Sequence, residues 1–286
     1  MIAGTNGEAA TLTSAEKTQL VKTARKVGHR FGRAEIPIVL GCSAGCTRDV
    51  IDQTVEAKAA GADAALVLVP SFFHFAMVPA AITGFFEEVA GASPIPIVVY
   101  NYPGVVAGLD VNSEMLDILG RHTNIVGVKL TCGGIAKVSR VAAVFDTSEF
   151  CALAGQSDWL VPALSVGGTG CITGLANLFP KVCTTRTPLP SPSLLIYFEQ
   201  TCIELYNLYQ SGKIEEAKTL QKLLAVAEWG FGKSGINGTK WVVAKKLGYP
   251  ETSSNCRRPY PKYADEEKRK WVLDQVSGLD PIEQSL

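Results

Sequence analysis

Short apolar runs rich in Val, Ile, Leu and Ala recur along the chain, and each stops at Gly, Pro or a small polar residue: "IPIVLGCSAG", "ADAALVLVPS", "IPIVVYNYPG", "NIVGVKLTCG", "FCALAGQS" and "GGTGCITGLAN". The runs are continuous rather than alternating, which marks strands buried on both faces and so a parallel sheet covered by helices. Helical stretches lie between them. "TSAEKTQLVKTARKV" is opened by Thr13 or Ser14 as N-cap, and "TRDVIDQTVEAKAAG" is capped by Thr47 and stopped by Gly61. This βα alternation fits either an α/β barrel or a doubly wound sheet. From about Ile203 the chain turns mostly helical, through "SGKIEEAKTLQKLLAVAEW", "NGTKWVVAKKLG" and "DEEKRKWVLDQV". The stretch from Thr184 to Cys202, with Pro188, Pro190 and Pro192, fits neither part.

With 286 residues, of which 47% are hydrophobic, the chain can bury the core of one α/β barrel or of two smaller domains. Lys+Arg and Asp+Glu balance at 27 each, so no overall field favours nucleic acid or an anionic membrane. No apolar run approaches a membrane span, and "MIAGTNGEAA" lacks the basic-then-apolar layout of a signal peptide, which reads as cytosolic. The 8 cysteines are scattered, as reduced core or loop residues would be, Cys42 and Cys46 being the closest pair. His29, His74 and His122 stand apart from one another and from any Cys, so a metal site is not expected.

Lys129 ends a run that otherwise reads Ile125, Val126, Val128 and Leu130. A buried cationic head is costly, so the amine either reaches solvent or is kept neutral for chemistry. Tyr100 stands at the end of "VVYNYPG", as a proton-handling group or as a core tyrosine with one satisfied hydroxyl. "GTNGEAATLT" is a Gly-rich turn. Its backbone N–H groups, with Thr5 and Asn6, can hold a carboxylate, or it is a plain βα turn. In a parallel barrel all three strand ends open on one face, where a neutral lysine adds to a ketone to give an imine. "GFGKSG" around Lys233 is no phosphate loop, because Ala227 stands where its first glycine belongs and a helix precedes it. Asn237 in "NGT" is a formal glycosylation acceptor that reads as idle.

The order "GTNGE", "YNYPG", "GVKLT" and "GGTGCITGLANLFP" resembles the dihydrodipicolinate synthase and N-acetylneuraminate lyase superfamily of class I pyruvate aldolases, from residue 3 to about 183 and again after 202. Within it the chain looks most like the 4-hydroxy-2-oxoglutarate aldolases and the fungal L-threo-3-deoxy-hexulosonate aldolases. The resemblance implies a (β/α)8 TIM barrel, here lacking its first strand and helix, with a C-terminal helical extension. Residues 1–183 would be the partial barrel, 184–202 an atypical Pro-rich insertion, and 203–286 the last barrel helix and the helical region. It also implies that Lys129 forms the Schiff base, that Tyr100 shuttles protons with Thr5, and that Thr5 and Asn6 hold the pyruvate carboxylate. Thr131 and the Gly167–Gly170 turn, Gly168 and Gly170 included, would line the imine. The substrate would be a small oxo-acid, no cofactor or metal would be needed, and the protein would be a homo-oligomer, a dimer or tetramer.

The chain also departs from the family pattern. Where members place a tyrosine that completes a neighbour's proton relay, "VPSFFHF" offers Phe72 and Phe73, which carry no proton. Where the synthase uses an arginine for its aldehyde substrate's carboxylate, this chain has Gly104, Val105 and Val106. This favours a sugar-acid aldolase over a condensing synthase. The rival outside enzymes is an inert barrel relative. The absent first strand and the abrupt joins around 184–202 read as a missing first exon and a retained intron.

Overall fold

A computed structural model describes residues 1–179 and 203–286, so the expectation about the 184–202 insertion lies outside the described residues. The described strands are β1 (Val39–Gly41), β2 (Ala64–Leu68), β3 (Ile97–Asn101), β4 (Ile125–Leu130), β5 (Cys151–Ala154) and β6 (Gly170–Cys171). They hydrogen-bond in sequence order, and β1 to β4 pair parallel. Every residue of β1 and β3 is buried, as are nearly all of β2 and β4. This two-sided burial is what the continuous apolar runs required. The architecture is therefore α/β with a parallel sheet wound in one direction, followed by a helical C-terminal region.

Contacts divide the described residues into two compact units. The first comprises Met1–Leu153 with Val166–Thr169. It holds helices α1 (Ser14–Arg30), α2 (Thr47–Ala60), α3 (Pro79–Ala92), α4 (Ser113–Leu119) and α5 (Ile135–Val144), each packed on the next. Thr13 caps α1 in a capping box: its hydroxyl accepts from Glu16 N, and the Glu16 carboxylate accepts from Thr13 N at 2.9 Å. At α2 the expected cap is displaced by one residue. Cys46, extended at φ −144 and ψ 159, is the N-cap and Thr47 the first helical residue, without a side-chain cap hydrogen bond. Gly61 ends α2 at φ 101, as read from the sequence.

Ile2 forms a parallel bridge with Leu40, its N–H donating to Val39 O and its carbonyl accepting from Gly41 N. Gly41 is required there, since a Cβ on it would stand 1.9 Å from the Ala3 carbonyl oxygen. A Cβ on Gly127 in β4 would meet Cys151 Sγ at 2.6 Å, so the lysine-bearing strand also depends on a missing side chain.

The second unit comprises Ala154–Ser165 and, among the described residues, 170–179 and 203–286. Its helices are α6 (Leu160–Ser165), α7 (Ile203–Gln210), α8 (Ile214–Leu247), α9 (Glu266–Ser277) and α10 (Asp280–Ser285). The two helical stretches around "GFGKSG" lie in α8, which is two helices meeting at Gly235, whose φ 67 and ψ −172 are non-helical. Its core joins Leu160, Leu175 and Phe179 to Leu224 of α8 and to Val272 and Val276 of α9. No helix among the described residues is long and apolar enough to cross a membrane.

Candidate active site

The parallel register pairs Tyr100 of β3 with Lys129 of β4. Side chains alternate along each strand, so register partners project from the same face. Both are buried, Lys129 at 6% and Tyr100 at 4% exposure, and the Lys129 amine lies 4.2 Å from the centre of the Tyr100 ring. Among the described residues this ring is the amine's recorded partner, with no hydrogen bond or ion pair to a carboxylate. An aromatic face is a modest anchor for an ammonium. The nitrogen is held in place without being tied up.

Tyr100 Oη lies 3.2 Å from Thr5 Oγ1, and either oxygen can donate. Thr5 reaches it because the Ile2 bridge and the close approach at Gly41 fix the start of the turn. Ala3 and Glu8 flank that turn at φ 52 and φ 57, left-handed conformations that cost about 1–3 kcal/mol each for non-glycine residues and persist where surroundings impose them. The turn itself corrects one expectation. Its N–H groups are not generally free: Gly7 and Ala9 donate to Gly4 O and Glu8 donates to Thr5 O. The closed turn consumes its own donors, which leaves the N–H groups of Thr5 and Asn6 without a backbone acceptor among the described residues. Asn6 is exposed.

Thr131 follows Lys129 by two positions; its N–H donates to Asn101 O at 2.8 Å, and its hydroxyl oxygen is buried without a partner. An unmet buried hydroxyl costs about 1–3 kcal/mol, which a ligand hydrogen bond would recover. Gly167 sits at φ 93, where a Cβ would stand 2.5 Å from the Ala142 side chain. Gly168 follows it, and Thr169 donates its N–H to Ala152 O. Gly170 opens β6 in the second unit.

Two polar groups escaped the sequence reading. Asn101, 1% exposed beside Tyr100, accepts from Val111 N at 3.0 Å and donates to Asp110 Oδ1 at 2.8 Å. A polar residue ending an apolar strand was the signal, the same one that exposed Lys129. In the second unit Glu228 of α8 accepts from Ser157 N at 3.0 Å and from the hydroxyls of Ser157 and Thr173. Burial, then the Glu228 charge, pushes the neighbouring Asp158 carboxyl up to about 6. No cluster of three or more His, Cys, Asp or Glu suited to a metal occurs among the described residues. Phe72, Phe73 and Phe75 project into solvent at 81%, 59% and 77% exposure, in edge-to-face contact.

Tyr100 and Lys129 stand near the C-terminal ends of parallel strands, where α/β barrel enzymes place their reacting groups. The chain belongs to the dihydrodipicolinate synthetase family, whose model matches residues 1–185. A Coccidioides immitis protein, provisionally named a mitochondrial 4-hydroxy-2-oxoglutarate aldolase, is 38% identical over 98% of this chain and 84% of its own. A Hypocrea jecorina protein named L-threo-3-deoxy-hexylosonate aldolase is 37% identical over 87% of this chain and 75% of its own. A crystal structure from Coccidioides immitis, of a protein provisionally assigned to the dihydrodipicolinate synthase family, matches with TM-score 0.81 at 35% identity, covering 100% of this chain and 84% of that one.

Proposed function

We propose that the protein is a class I aldolase, a carbon–carbon lyase that cleaves a 2-oxo-3-deoxy sugar acid, or 4-hydroxy-2-oxoglutarate, to pyruvate and an aldehyde or glyoxylate. One observation carries the reading: a buried lysine, without a hydrogen bond or ion pair among the described residues, shares a register pair with a tyrosine whose hydroxyl contacts a threonine. The names of the relatives support the same chemistry.

In this mechanism Lys129 Nζ adds to the C2 carbonyl, and loss of water gives an iminium. The C4 hydroxyl loses its proton to Tyr100, the C3–C4 electron pair moves into the iminium to form an enamine, and the aldehyde leaves. Because either oxygen of the Tyr100–Thr5 pair can donate, the proton passes on to Thr5 and water, and Phe72 takes no part. The enamine is then protonated at C3, and water releases pyruvate and restores the amine. The iminium is the electron sink, so this route requires no metal. Thr5 and Asn6 hold the substrate carboxylate. Thr131 and Gly168 line the imine.

Val105 is exposed and Val106 buried after Gly104, so the segment offers no guanidinium for a second carboxylate. This favours the sugar acid over condensation with aspartate 4-semialdehyde. The direct test supplies L-threo-3-deoxy-hexulosonate, 4-hydroxy-2-oxoglutarate, and pyruvate with aspartate semialdehyde to the same protein. The reading expects pyruvate release from the first or second and no condensation. Condensation alone would make it a synthase, and no turnover of any would make it an inert relative.

We also propose that the sheet is the larger part of a (β/α)8 barrel and that the chain forms a dimer or tetramer, which the exposed Phe72, Phe73 and Phe75 support. The proposed compartment is the cytosol. The Coccidioides immitis relative is among those named mitochondrial, so fractionation of the tagged protein decides between the two.

A further inference from the structure

The segment after β3 has little regular structure of its own. It makes a 3-10 turn at Pro103–Val105, then passes through Ala107 at φ 55 and Gly108 at φ 83 before Asn112 caps α4. A left-handed conformation at a non-glycine residue such as Ala107 persists only where its surroundings impose it. Within the segment Gly108 N donates to Pro103 O at 2.9 Å and Leu109 N to Val106 O at 3.1 Å, and side-chain contacts to the rest of the unit converge on one carboxylate oxygen. Asp110 Oδ1 accepts from Asn101 Nδ2 at 2.8 Å and also from Lys137 Nζ of α5, whose side chain is 13% exposed. Asn101 secures the other side of the same residue by accepting from Val111 N at 3.0 Å.

These bonds join the loop that follows the Tyr100 strand to the helix that follows the Lys129 strand. Asp110 is 44% exposed, and ion pairs with an exposed partner contribute little to stability. The geometry therefore points to a different role. Building on the aldolase reading above, we propose that Asp110 and Lys137 are positioning residues for Tyr100: they hold the loop leaving its strand in the arrangement that proton transfer during C–C cleavage needs. The Lys129 amine meets the ring of Tyr100 and not its hydroxyl, so addition of the amine to a ketone does not need the hydroxyl alignment that the Asp110–Lys137 link would secure. The link acts on cleavage and leaves imine formation alone.

The experiment compares Lys137→Met, Lys137→Arg and Asp110→Asn with the unaltered protein in three readouts: turnover of L-threo-3-deoxy-hexulosonate, the rate of borohydride-trapped imine with pyruvate, and amide hydrogen exchange. Lys137→Met and Asp110→Asn should lower kcat by about 10- to 100-fold, the scale of a displacement of about 1 Å near a reacting group. Trapping should stay within about threefold, because amine addition uses the ring contact and not the Tyr100 hydroxyl. Amides of residues 102–111 should exchange faster while those of β3 and β4 do not change. Lys137→Arg, which keeps the charge, should restore turnover. The proposal is overturned by unchanged turnover, by failure of the arginine to rescue, or by equal loss of turnover and trapping with faster exchange in β3 and β4, which would mark general destabilisation. If the unaltered protein neither cleaves nor traps, the aldolase reading falls. The exchange arm still decides the anchoring, since unchanged protection of 102–111 in Lys137→Met would refute it.

Discussion

Tyr100 has two separable attributes, a ring beneath the Lys129 amine and a hydroxyl on Thr5. Tyr100→Phe keeps the first and removes the second. It should leave imine formation detectable while C–C cleavage falls by roughly 10²–10⁴, the usual range for a general acid–base group; unchanged turnover would make Tyr100 a core residue. Asp158 supports a prediction about stability. Burial, then Glu228, raises its carboxyl from the ordinary 3.8 to about 6, so between these values the folded chain holds a proton that the unfolded chain has released. Stability from this group is present below about pH 4, declines as pH rises to about 6, and is flat beyond. Asp158→Asn should remove that decline and be no less stable at pH 7, as thermal unfolding across pH 4–7 would read. A variant that keeps the wild-type slope would assign the proton elsewhere.

At the scale of elements, two small features hold the site's first turn. Gly41→Ala puts a methyl where the Ala3 carbonyl already stands, so the Ile2 bridge must shift and carry Thr5 away from Tyr100. The expected outcome is a loss of about 1–3 kcal/mol, typical of overpacking, with faster amide exchange at Ile2 and Gly41; retained protection would show that the backbone accommodates the methyl. Thr13→Ala, which removes the capping box of α1, should cost about 1 kcal/mol in denaturant unfolding. The strands were legible because burial on both faces leaves continuous apolar runs, and α1 and the end of α2 because caps and glycine are local signals. The cap of α2 was not, since Cys46 and Thr47 differ in backbone conformation rather than in a residue-type preference. The spent N–H groups of the turn were hidden for a related reason: Gly-rich composition predicts a turn but not which donors it closes on itself.

At the scale of the molecule, the placement of Lys129 and Tyr100 together could be read from sequence because a polar residue near the end of a buried strand contradicts its surroundings. Glu228 could not, as it lies in a helix of mixed composition and its partner Ser157 is 71 positions away. The Asp110–Lys137 link, 27 positions apart, was silent for the same reason. The exposed aromatic loop makes a prediction about assembly. If the proposed oligomer forms through this loop, a Phe72→Ser, Phe75→Ser double variant should run at lower mass than the unaltered protein by light scattering, whereas equal masses would remove this loop from the interface.

The central claim, that Lys129 is the amine that captures a 2-oxo acid, is tested most directly by reducing the protein with borohydride in the presence of pyruvate and mapping the adduct by peptide mass spectrometry. The account predicts a single adduct on Lys129, loss of activity with its formation, and no adduct in Lys129→Ala. An adduct on another lysine with Lys129 unmodified, or none at all, would contradict it.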